Sequence, residues 1–185
     1  MLFDRKSLGV LILSRDLALC STFVALAVAL GFALVHIPNV ELMTLIVFFS
    51  GYLQGPRRGG LIGFIAMSIF TTFNPMGVPF APVALAQIAG MAIIGFAAGL
   101  TKKWLGRGPV WIKLGVLGLA CTLFYDLTTN AAMAFSSGML SRLFAVLIAG
   151  LTFSILHMVS NMLIFAVAGP FLTKIMPPWV SDQPL

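Results

Sequence analysis

The chain has 185 residues, of which 60% are hydrophobic and 9% charged, and its mean hydropathy is +1.08. Soluble domains carry roughly 25% charged residues, so this composition excludes an ordinary water-soluble fold. A net charge of +6 does not make it a nucleic-acid binder, because the few basic residues are spread between apolar segments and therefore bear on topology.

In the first sixteen residues the apolar stretch Leu8 to Leu13 is short and is followed by Arg15 and Asp16, which argues against a cleaved secretory signal and for a short cytoplasmic segment at the membrane interface. Apolar runs bounded by turn residues then predict six helices, near 17–36, 41–55, 59–74, 82–101, 111–136 and 141–175. Helix is favoured over strand because each backbone group in lipid must be satisfied within its own segment, and these runs are too long for barrel strands. Pro38, Pro56, Pro75, Pro79, Pro82 and Pro109 fall between the runs, where a blocked N–H costs least. Cys20 and Cys121 each sit inside an apolar run and read as small hydrophobes rather than as a disulfide or metal pair.

The loops separate by charge. Arg5, Lys6 and Arg15 precede the first run, Arg57 and Arg58 join the second and third, Lys102, Lys103, Arg107 and Lys113 join the fourth and fifth, and Lys174 ends the sixth. The alternate loops contain Arg142 alone. This bias predicts an all-α integral membrane bundle of six transmembrane helices in a single domain, with both termini cytoplasmic.

Within the first run Ser21, Ala25, Ala29 and Ala33 repeat every four residues, giving a stripe on which another helix can approach closely; Ala25, Ala29 and Ala33 are expected to dock a partner subunit. Gly59 with Gly63, and Gly95 with Gly99, form GxxxG pairs suited to packing within the chain. Arg57 and Arg58 need no phosphate ligand, since charge sidedness accounts for them.

Polar side chains in hydrocarbon are costly, a central Asp by roughly 2.5–3.5 kcal/mol on insertion scales. In the fifth run Asp126 and Asn130 lie four apart, beside Tyr125, Thr122 and Thr129; in the sixth, Ser154, His157 and Asn161 share one face. Two such stripes turn inward, so Asp126 can pair with His157 or with a solute. The choice is between a cluster that only fastens two helices and a binding pocket, and the pocket is the expectation here. Gln87 on the fourth run is a further contributor, although a lone Gln also commonly bonds a nearby backbone. Glu41 and His36 in the first outer loop, and the turn Asn74-Pro75-Met76-Gly77-Val78-Pro79-Phe80 in the second, supply material for a lid. Glu41 and His36 read equally well as solvated loop residues, and Asn74-Pro75 as turn chemistry.

Enzymatic signatures are missing. No GxxxxGK[ST] phosphate loop and no HExxH occurs, and Ser154 with His157 lacks a readable orienting group and oxyanion site. No catalytic residue, cofactor or metal site is expected.

With these features in hand, the sequence resembles the substrate-binding S component of energy-coupling factor (ECF) vitamin transporters. The resemblance rests on chain size, six spans with cytoplasmic ends, the stripe Ala25, Ala29, Ala33, the turn Gly51-Tyr52-Leu53-Gln54-Gly55-Pro56-Arg57-Arg58-Gly59-Gly60 followed by Gly63, and the loop Asn74-Pro75-Met76-Gly77. It implies a multi-pass receptor in a prokaryotic plasma membrane that binds a vitamin or related micronutrient from the outer side. It also implies docking, through the alanine stripe, on a transmembrane coupling subunit that carries two ATPases. The nickel and cobalt members hold metal with an N-terminal Met-His pair, whereas this chain begins Met1-Leu2-Phe3, so a metal substrate is not expected. Asp126 and Glu41 against Arg142 favour a neutral or cationic solute over a polyanion, unless His157 neutralises Asp126. A non-transporting scaffold subunit of the cell-shape type, and a stand-alone facilitator, are the alternatives.

Overall fold

The computed structural model describes residues 5–105 and 108–175. Arg107 and the Met1-Leu2-Phe3 start lie outside the described residues. Those residues form an all-helical fold without strands: α1 (Arg5–Leu34), α2 (Met43–Gln54), α3 (Pro56–Thr72), α4 (Ala81–Ala98), α5 (Lys102–Leu105), α6 (Val110–Ser136), a 3₁₀ turn at Leu140–Arg142, α7 (Leu143–Ala149) and α8 (Leu151–Ile175).

Four helical stretches are long and apolar enough to cross a membrane: Ser14–Leu34 of α1, α4, α6 and α8. Helix α2 has 12 residues, about 18 Å at 1.5 Å per residue, short of the ~30 Å hydrocarbon core. Its sequence explains how so short a helix is accommodated. It is apolar on every side, and all residues from Met43 to Gly51 are buried, the pattern of a helix enclosed by protein. Helix α2 turns at Gly55 (φ 91°) into the 17-residue α3, whose Pro56 occupies the first turn, where its missing N–H costs nothing.

Glycine decides how close this hairpin lies to α4. A Cβ on Gly51 would stand 2.0 Å from the Gly95 carbonyl oxygen, one on Gly63 2.3 Å from that of Met91, and one on Gly99 2.3 Å from the backbone nitrogen of Pro56. Both expected GxxxG pairs thus pack inside the chain, with Gly51 as a third partner. Helices α6 and α8 pack in the same way, Gly118 against Asn161 and Phe165, and Gly169 against Leu114.

Three elements differ from the expected outline. Helix α1 begins at Arg5 and continues through Arg15 and Asp16 without a break, where a separate interfacial segment was expected. No proline interrupts this stretch, and Asp16 forms an ion pair with Arg58 of α3. The sixth run divides at Gly150 into α7 and α8; Gly150 takes φ −84° and ψ −5° and lies near the Asn130 side chain. The short α5 occupies the linker after α4, where Lys102 Nζ donates to the Leu53 carbonyl at 3.2 Å.

Candidate functional site

A cavity of about 300 Å³ opens at the end of the bundle where α1 finishes and α2 begins. Gly31, Leu34 and Val35 of α1 form one side, Met67 and Phe70 of α3 another, and Met91 of α4 with Tyr125 of α6 the base. Gly31 leaves room here: a Cβ at that position would meet Met43 Cε at 2.8 Å and the Phe70 ring at 3.1 Å. The wall is mostly apolar; among the described residues its acidic and imidazole side chains are Glu41 and His157, and the Tyr125 phenol also lines it.

At and behind that wall four side chains join three parts of the chain. His157 Nδ1 lies 2.9 Å from Asp126 Oδ1, linking α8 to α6, and its Nε2 faces Glu41 Oε1 at 3.9 Å. Asn161, one turn further along α8 and fully buried, donates through Nδ2 to the same Glu41 oxygen at 2.9 Å. Glu41 Oε2 accepts the Thr44 backbone N–H at 2.8 Å, which satisfies an orphan donor in the first turn of α2 and places the carboxylate at the positive end of that helix. The Ser160 hydroxyl donates to the carbonyl of Asn39, which takes φ 60°, a conformation Asn tolerates better than most residues. The loop carrying Glu41 is therefore fastened to α8 at two points. Asp126 Oδ2 and Asn161 Oδ1 are buried and make no hydrogen bond among the described residues.

The expected site residues divide by location. Glu41, Asn74, Tyr125 and His157 line the cavity, whereas Asp126 and Asn161 stand behind His157 and Glu41 and hold them in place. Asn74 also makes the turn expected of it, accepting the Met76 N–H at 2.9 Å. Gln87 is not at the cavity; its Oε1 accepts from Thr71 at 3.2 Å and ties α3 to α4. Asn130 is likewise away from it, its amide against Gly150, since four residues along α6 is one full turn further toward the bundle end. His36 is exposed. Sequence reasoning missed Gly31, Thr44, Met67 and Met91; only the unusual glycine in an apolar helix offered a signal.

Ser21, Ala25, Ala29 and Ala33 are all exposed, while Ala27 and Gly31 on the other side of α1 are buried. The small-residue stripe thus has no partner helix within the described chain, and the same helix presents its opposite side to the cavity.

The Ser160 hydroxyl is engaged with backbone carbonyls, and no group of three or more metal-ligating side chains occurs among the described residues. Compared with known protein families, curated proteins and solved structures, the chain shows no match.

Proposed function

We propose that the chain is a membrane-embedded solute-binding subunit of the energy-coupling factor type, taking a small vitamin-like solute from the outer side and relying on partner subunits for ATP-driven uptake. The observation that carries this reading is the cavity, whose apolar body and few convergent polar groups have the composition of a small-molecule site, and whose volume falls at the small end of the roughly 300–1,000 Å³ usual for one. The exposed alanine stripe supports a docking role, because close helix contact in lipid requires small residues.

In this reading the hairpin α2–α3 adds two crossings to the four long helices, and both termini are cytoplasmic. The basic residues support that orientation: Arg58 and Lys102 gather at the Gly55 end of the bundle, whereas Arg142 belongs to the cavity end, in the turn that follows α6. A prokaryotic plasma membrane is the matching location, with a coupling subunit and two ATPases as partners.

Two measurements separate this from its rivals. Purified alone and placed in liposomes, the subunit is expected to bind solute and to give no flux; flux without partners would favour a facilitator. Asp126→Ala and Asn161→Ala are expected to abolish solute binding and uptake. If both left binding intact while disrupting assembly, a scaffold would be the better account, since the exposed stripe suits one equally well.

A further inference from the structure

The hydrogen bonds around the cavity constrain which solute it can hold. Two carboxylates, Asp126 and Glu41, address a single imidazole, and among the described residues no Lys or Arg lines the cavity. With both carboxylates ionised, the group of three carries a net charge of −1 when His157 is protonated and −2 when it is neutral. In a low-dielectric wall such an excess favours a cation strongly, because Coulomb energy rises as the dielectric falls. The pairing of Asp126 with His157 therefore does not remove the preference for positive charge, because Glu41 restores it.

The distances add a second constraint. Asp126 accepts at 2.9 Å from Nδ1, and in the neutral imidazole this leaves the lone pair on Nε2. That Nε2 stands 3.9 Å from Glu41 Oε1, beyond the ~3.2 Å limit of a direct hydrogen bond. Two acceptors at this separation form a fork. One nitrogen carrying two N–H bonds reaches both at ordinary hydrogen-bond lengths of about 2.9 Å. A quaternary ammonium cannot, having charge but no donor. Next to the fork lie Phe70, Met67, Met91 and Tyr125, a surface for an apolar or aromatic body.

Building on the solute-receptor reading above, we infer that the solute of this site carries a cationic nitrogen with at least two N–H bonds, a primary ammonium or an amidinium, held between Glu41 Oε1 and His157 Nε2, on a small apolar body packed against Phe70 and the two methionines.

The test uses the full chain in lipid nanodiscs and four probes of similar size: benzylamine, benzamidine, benzyltrimethylammonium and benzoate. Binding is read by thermal unfolding and by calorimetry. The expected result is that benzylamine and benzamidine stabilise the protein, that benzyltrimethylammonium binds at least about tenfold more weakly, as loss of a charge-assisted hydrogen bond implies, and that benzoate does not bind. Glu41→Gln is expected to reduce amine binding by a similar factor. The comparison among probes on the unaltered chain stands even if that variant folds poorly. Equal binding of the quaternary cation would overturn the donor requirement, binding of benzoate would overturn the charge requirement, and failure of all four would overturn the inference as a whole. The receptor reading is judged separately, by whether the purified chain retains any small molecule. A retained solute lacking such a nitrogen would sink the inference and leave the receptor reading standing.

Discussion

Glu41 connects three parts of the chain through one carboxylate: it caps the first turn of α2, accepts from Asn161 of α8 and faces His157 across the cavity wall. Buried hydrogen bonds to a charged group contribute about 1.5–3 kcal/mol each, and a partner left behind unsatisfied adds its own penalty. Asn161→Leu should therefore destabilise the protein by about 2 kcal/mol or more, read by chemical or thermal unfolding in detergent. Asp126→Asn should act differently. It removes the carboxylate that fixes the His157 tautomer while preserving volume, so solute affinity is expected to fall by about tenfold with only a small change in unfolding temperature. Equal loss of stability in both variants would mean that Asp126 is a fastening group and not a positioning one.

At the scale of elements, α1 and the α2–α3–α4 cluster make opposite predictions for added bulk. A methyl at Gly95 would stand 2.1 Å from the Gly59 carbonyl oxygen, and neither backbone can move without displacing α2, so Gly95→Ala should cost about 1–3 kcal/mol as an overpacking defect. Ala29 is exposed. Ala29→Trp should leave the unfolding temperature and solute binding unchanged while preventing co-purification with the coupling subunit; intact co-purification would remove the docking role from α1. Much of this level was legible in the sequence. Apolar runs and prolines mark α2, α3, α4 and α6 to within a few residues, and four-residue spacing marks both the alanine stripe and the GxxxG pairs. The continuity of α1 through Arg15 and Asp16 was not legible, because it depends on Arg58, which is distant in sequence. The division at Gly150 was not legible either, since glycines also stand inside the continuous helices α3, α4 and α6.

For the whole molecule, the same division between local and distant information runs through the site. The facing stripes of α6 and α8 follow from spacing alone, and the Asp126–His157 contact is their direct product. Glu41 is different. Its partner Asn161 is 120 positions away, and no periodicity announces that a loop carboxylate will be drawn into the bundle. The reverse holds for Asn130 and Gln87, whose inward position was readable while their distance from the cavity was not. Topology is open to a direct check at this scale: with native cysteines removed, a single cysteine at Gly138 should react with an impermeant thiol reagent from outside intact cells, and one at Arg57 only after the cells are opened. Labelling at Arg57 from outside would reverse the orientation.

The central claim is that this chain holds a small molecule within the bundle. Native mass spectrometry of the protein purified in nanodiscs measures that directly. The account predicts one retained solute per chain, lost when His157 is replaced by Ala; a chain that carries no solute when released from cells that supply it, or one whose bound molecule is indifferent to His157, would contradict it.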